Sequence, residues 1–336
     1  MLLLRFISEL AKQSRGKGAV GGLHIHGLAP VALSLLLLSA TGCPNGHVVG
    51  YMAGSAMAST NGMMWVGWGW EIAASKQLTR GLNLEAAQSA RNAIGIFESM
   101  APHETCHIAY CLSTLGLALK DEPSQHAEAI EALRRSISMA ETAGDDGLSL
   151  LSTDLGHLGE IFVKSGDIGE AEPLLQRALT LNEQHKDPYD NKAYAKCLHN
   201  LGVIRLMQGR MDEASGSFDR AIAVLTEKGE AESPEMAMAM NGKAFVLFRA
   251  GKNEQAKSLM VQATALLEKV EGSDNLELAK MQHDLACVHK RLGEYDEARR
   301  LCNRALAVYT QHLDPDSPEI ERIRRTLEEL PSEEGL

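Results

Sequence analysis

The chain has 336 residues, 45% apolar and 23% charged, with 33 Lys+Arg against 44 Asp+Glu. That composition excludes a disordered polymer, and a net charge of −11 argues against a nucleic-acid partner, which needs cations in excess on one face. Only 6 Phe, 6 Tyr and 3 Trp in a chain rich in Ala and Leu predict an all-α fold rather than a sandwich or barrel, and six cysteines are too few for a disulfide scaffold.

No Lys, Arg, Asp or Glu stands between Lys17 and Glu71. The start of the chain reads as a signal peptide over residues 1–42: a basic leader (Arg5, Lys12, Arg15, Lys17), an apolar run from Leu28 to Leu38 too short for a membrane span, then small residues. Its end, Leu38-Ser39-Ala40-Thr41-Gly42-Cys43, resembles the lipobox of bacterial lipoproteins, with Ala40 where that family prefers Leu. The resemblance implies cleavage before Cys43, lipidation of Cys43, and a cell-envelope protein facing the periplasm. The mature body would then carry 29 Lys+Arg against 43 Asp+Glu. Residues 43–64 read as a tether. A second reading stays open: small residues at Gly50, Gly54, Ala58 and Gly62, with Trp65, Trp68 and Trp70 beyond them, suit a membrane helix and its interfacial belt. Residues 28–70 would then anchor an intracellular or organellar membrane protein.

From residue 65 to 313 the chain repeats itself. Ala86, Ala129, Ala171, Ala214, Ala256 and Ala298 are 42 or 43 residues apart. So are Ala74, Gly116, Gly159, Gly202, Ala244 and Ala286, and likewise Ala93, Ser136, Ala178, Ala221, Ala263 and Ala305. Glycines at Gly81, Gly166, Gly209, Gly251 and Gly293 fall between the first two series. Within one unit, Leu155, Leu158, Gly159 and Phe162 make one apolar helix face. Gly166 stops that helix, since glycine takes a left-handed turn without a Cβ clash. A second helix presents Ala171, Leu175 and Ala178. Small residues at the crossing let two helices pack closely, which predicts an αα-hairpin stabilised by stacking on its neighbours. The copy between Cys111 and Ile137 lacks the turn glycine and has one extra residue near Pro123. Ser317, Pro318 and Glu319 are a helix start, which predicts a terminal capping helix in residues 314–336.

The pattern resembles the tetratricopeptide repeat, W-x2-L-G-x2-Y followed by A-x3-F and A. It is carried by Trp70-x2-Ala73-Ala74, by Leu155-x2-Leu158-Gly159-x2-Phe162, and by Leu198-x2-Leu201-Gly202 with Ala214-x3-Phe218. The long period and the segment Leu313-Asp314-Pro315-Asp316-Ser317-Pro318-Glu319-Ile320 are similar to the kinesin light chain subfamily. The resemblance implies a right-handed α-solenoid of about six helix pairs, acting as a non-catalytic protein-binding scaffold without a cofactor.

His103-Glu104-Thr105-Cys106-His107 spells H-E-x-x-H, the pattern that on a helix places two histidines for zinc and a glutamate as base. Pro102 just before it marks a helix start, whereas that chemistry needs the helix interior, so a zinc hydrolase is the remote alternative. The family implies that the first helix of each pair lines a concave groove. The mapped positions are Lys164; Lys196, His199, Val203, Leu206 and Met207; Met238, Asn241, Phe245, Phe248 and Arg249; and Lys280, His283, Cys287, Lys290 and Arg291. Basic side chains outnumber acidic ones there, Glu160 being the one mapped acid, although the body is acidic. This points to an acidic peptide segment as partner, with Phe245 and Phe248 as apolar anchors, or equally to a solvated helical surface. Gly156 and Glu160 replace the lysine and asparagine with which chaperone-binding relatives clamp a carboxylate.

Overall fold

The computed structural model describes residues 60–100, 102–184 and 190–331, and the regular structure in them is helical. The chain divides into two compact units, Met1–Gly69 and Trp70–Leu336. Of the first, the described residues are the opening turns of helix α1 (Thr60–Leu78), which starts inside the stretch expected as a tether. Cys43 and the signal stretch 1–42 lie outside the described residues. Among the described residues no helix is long and apolar enough to cross a membrane.

In the second unit the helices follow one another in antiparallel pairs. After α1 come α2 (Asn83–Met100), α3 (Thr105–Leu119), α4 (His126–Thr142), α5 (Leu148–Ser165), α6 (Ile168–Glu183) and α7 (Asn191–Met207). Then follow α8 (Met211–Glu227), α9 (Pro234–Arg249), α10 (Asn253–Glu271), α11 (Leu276–Leu292), α12 (Tyr295–His312) and α13 (Pro318–Glu328). Odd-numbered helices are first members, even-numbered ones second. The turn within a pair works as its sequence predicts. At Gly166, φ is +84°, and the backbone N–H groups of Gly166 and Asp167 donate to the carbonyls of Val163 (3.2 Å) and Phe162 (2.9 Å). Those bonds satisfy carbonyls that the helix end would otherwise leave free. In the second pair, which lacks the glycine, α3 runs out at Lys120 in right-handed conformation and a short 3-10 turn at Pro123–Gln125 leads into α4.

The starts of later first helices repeat as strictly as the alanines. Asp190 accepts from the N–H groups of Lys192 (2.9 Å) and Ala193 (3.0 Å); Ser233 accepts from Met236, Asn275 from Leu278 and Ser317 from Ile320. Each cap satisfies at least one of the four orphan donors of its helix.

Close packing within pairs is specified by size. All six residues of the series from Ala86 to Ala298 are fully buried, as are those of the series from Ala93 to Ala305. In the remaining series, glycine on the first helix meets a large side chain on the second. A Cβ on Gly116 would lie 2.5 Å from Leu133, one on Gly159 2.7 Å from Leu175, and one on Gly202 2.6 Å from Phe218. Where the glycine is replaced by Ala244 or Ala286, the residue corresponding to Leu133, Leu175 and Phe218 is Met260 or Cys302, one flexible and one small. The Phe218 ring also closes the seam to the next pair, because a Cβ on Gly242 of α9 would lie 2.4 Å from it.

Helix α13 is a first helix without a second. Its buried Ile320 and Ile323 stand 42 residues after Leu278 and Met281 of α11, and its other face is charged, so it covers the last pair and meets water.

Candidate functional site

Side chains on the first helices act on one another across several pairs. Lys164 of α5 is electrostatically coupled to Glu277 and Lys280 at the start of α11, three pairs further on. His199 of α7 is coupled to Lys280, Glu277, Lys196 and Glu160. The mapped positions of successive first helices are therefore close enough to share one electrostatic environment.

Along the mapped groove runs a ladder of residues 42 or 43 apart: His199, Asn241, His283 and, on the capping helix, Thr326. All are buried. The His283 Nε2 and Thr326 Oγ1 atoms are 2.9 Å apart, and the Asn241 amide donates to Asp284 at 3.3 Å. Burial and the nearby lysines hold His199 at a pKa of about 4; burial, Arg322 and Lys290 do the same for His283. Both rings are thus neutral at neutral pH. Among the described residues Asn241 Oδ1 and His199 Nδ1 are buried with no hydrogen-bond partner, which costs free energy.

The charges on the walls are largely spoken for. Glu160 is buried, with Lys120 at 2.9 Å, Lys164 at 3.0 Å and Lys196 at 3.3 Å, lysines of three successive pairs converging on one carboxylate. Although burial alone would raise it, His157 and these lysines hold its carboxyl well below the usual range. Lys164 also bonds Asp121 at 2.6 Å. Lys280 bonds Glu277 at 2.9 Å, and Lys290 pairs with Glu329 of the capping helix. Four of the six cations mapped on the groove thus already have carboxylate partners.

The other two are Arg249 and Arg291, both exposed and neither in an ion pair among the described residues. Arg291 lies over the Phe248 ring at 5.5 Å, and Phe248 meets Phe245 at 6.3 Å between centroids. Met207, one repeat before Arg249, is 61% exposed. At the C-terminal ends of α7, α9 and α11 an apolar surface is therefore combined with two uncompensated guanidinium groups.

Two features were missed by the sequence mapping. Asp284 was passed over because it sits one position after the ladder. Asp121 and Glu277 lie at helix termini, where no groove position is assigned, and only the fold turns them inward. The H-E-x-x-H stretch does not form a metal cradle. His103 and Glu104 precede α3, whose first turn carries His107, and His107 Nδ1 is bonded to Glu71 of α1 at 2.8 Å. Its ring stacks on Phe97. Among the described residues no group of three or more His, Cys, Asp or Glu is placed to hold a metal ion.

A stack of αα-hairpins with a 42-residue period, small residues at each crossing and a concave face of first helices defines a helical-repeat binding protein. The family model for the tetratricopeptide repeat matches residues 149–227 and 235–327, a little over half of the chain, and the chain belongs to that family. No curated protein matches it in sequence. Among solved structures it is similar to the apo form of RapI (TM-score 0.62, 12% identity, 90% of this chain and 99% of that one). It is also similar to NprR in complex with its cognate peptide NprX (TM-score 0.57, 14% identity, 92% of this chain and 83% of that one). A further likeness is to BtubC (BKLC) from P. vanneervenii (TM-score 0.49, 21% identity, 59% of this chain and 80% of that one).

Proposed function

We propose that the protein is a non-catalytic scaffold whose concave face takes up an extended segment of a protein partner, one that carries a large apolar side chain beside a carboxylate. The observation that carries this reading is the pairing pattern of the groove cations: in a chain of charge −11, Arg249 and Arg291 stand exposed and unpaired beside Phe248 while the neighbouring lysines are neutralised. A cognate peptide in the structure of NprR shows that a fold of this kind accommodates one. Apolar anchoring gives the affinity; the arginines set orientation and on-rate.

The test is an array of peptides with and without acidic residues, read by fluorescence anisotropy against the protein and its Arg249→Glu/Arg291→Glu variant. Acidic apolar peptides should bind, and the folded variant should bind them more weakly by about tenfold or more, since charge reversal adds repulsion to the lost attraction. Equal binding by the folded variant would move the site away from this rim.

The resemblance at Cys43 extends the proposal to placement: Cys43 is the lipidated N-terminus, and the body faces the periplasm at the cell envelope. Mass spectrometry of the mature N-terminus tests this, and Cys43→Ser should release the protein or block processing. An intact chain with an unmodified internal Cys43 that resists carbonate extraction would instead support anchoring through residues 28–70.

A further inference from the structure

Two departures from the repeat pattern occur together at the joint between the second and third pairs. The buried series Ala93, Ala178, Ala221, Ala263 and Ala305 is interrupted by one polar member, Ser136 on α4. On the first helices, the position filled by Cys111, Cys197, Ala239 and Met281 is in α5 occupied by Asp154, fully buried. Ser113 of α3 donates to Asp154 Oδ1 at 2.5 Å, and Ser136 Oγ lies 2.5 Å from Asp154 Oδ2. Ser136 Oγ also lies 2.9 Å from the carbonyl of Ala109.

This buried carboxyl has two short hydroxyl contacts and no lysine or arginine among the groups acting on it. Ser136 has one hydroxyl proton to share between Asp154 and the Ala109 carbonyl, so its hold on an ionised Asp154 is divided. The surroundings agree with a neutral acid. On its own helix the charged group acting on Asp154 is His157, one turn further along; α3 and α4 present the two serine hydroxyls. From α7 the nearby titratable group is Cys197, which is coupled to Glu160, Lys196 and Asp190 instead.

We propose that Asp154 keeps its proton in the folded protein under mildly acidic conditions and that its ionisation towards neutral pH loosens the joint between the second and third helix pairs, making the solenoid pH-responsive at that place. Burial pushes the carboxyl up to about 6 against the opposing pull of Ser113, Ser136 and His157. The sign follows from proton binding. Below the ordinary aspartate range both folded and unfolded chains hold the proton. Between that range and about pH 6 only the folded chain does, so stability falls as pH rises, and above about pH 6 the loss is complete. The joint carries the groove lysines Lys120 and Lys164, so its loosening would also alter the concave face.

Asp154→Asn separates this device from every other titration in the chain, because its amide can accept from Ser113 and donate to Ser136 without ionising. Urea unfolding of the whole chain is compared at about pH 4.5 and about pH 7.5. The ratio of the wild-type unfolding constant to that of the variant should rise on the order of 30-fold between the two. A ratio that stays constant would overturn the proposal. As a measurement that needs no variant, infrared spectra of aspartate-labelled wild-type protein should show a buried protonated carboxyl band that titrates near pH 6. Loss of every such band below about pH 5 would overturn it equally.

Discussion

Replacing Gly202 by alanine sets two known effects against each other. Gly202 lies in the interior of α7, where glycine is worse than alanine by about 1 kcal/mol, so an unconstrained site would be stabilised by the change. Here the new Cβ would stand 2.6 Å from Cε1 and 2.7 Å from Cζ of Phe218, which is fully buried. The ring cannot simply withdraw, since it already lies where a Cβ on Gly242 would be 2.4 Å away on the side of the next pair. Overpacking of this kind costs about 1–3 kcal/mol. The expected net change is therefore a loss of up to about 2 kcal/mol, with the joint between α7–α8 and α9 opening first. Urea unfolding by far-ultraviolet circular dichroism gives the loss, and amide exchange along α8 and α9 locates it, which matters because repeat arrays need not unfold in one step. The pair Ala244–Met260, one repeat further on, where alanine faces a flexible side chain, supplies the control. Phe218→Met combined with Gly202→Ala should cost less than the sum of the two single changes by about 1 kcal/mol. A Gly202→Ala protein more stable than wild type, or strict additivity with Phe218→Met, would refute the size-matching argument.

Ala214→Leu inserts bulk at a fully buried crossing of α8 and should destabilise by about 1–3 kcal/mol in the same urea assay; an unchanged midpoint would show that the crossing has room. Gly293→Ala puts a Cβ on a residue with φ of +81° and should cost about 1 kcal/mol through strain rather than contact, with the loss read as a lower melting temperature. Zinc or a chelator should leave the melting temperature unchanged, since His107 is bonded to Glu71 rather than turned towards His103; a rise with stoichiometric zinc would reopen the metal reading.

What the sequence determined by itself was the architecture. Three registers of small residues at 42 or 43 spacing name the crossings, because only Ala, Gly or Ser allows two helix backbones so close, and a turn glycine between registers forces each helix to end where it does. Such signals are local in register and repeated, so one copy corroborates the next, and the second pair's missing glycine was readable as a different turn for the same reason. The caps at Asp190, Ser233 and Asn275 were equally legible by spacing from Ser317, although only the last was read.

The concave face was decided by tertiary structure. From sequence alone Lys164, Lys196, Lys280 and Lys290 counted as free positive charge, but their partners Asp121, Glu160, Glu277 and Glu329 become neighbours through helix ends, stacking of successive pairs and the docked capping helix. Lys280 and Glu277 stand three residues apart on one helix and were legible as a pair, whereas compensation of Lys164 by Asp121, Lys196 by Glu160 and Lys290 by Glu329 depends on distances between residues some 40 positions apart. The same holds for Asp154. Its residue type is visible, yet its raised pKa follows from burial at a joint where the groups facing it from other helices are two serine hydroxyls.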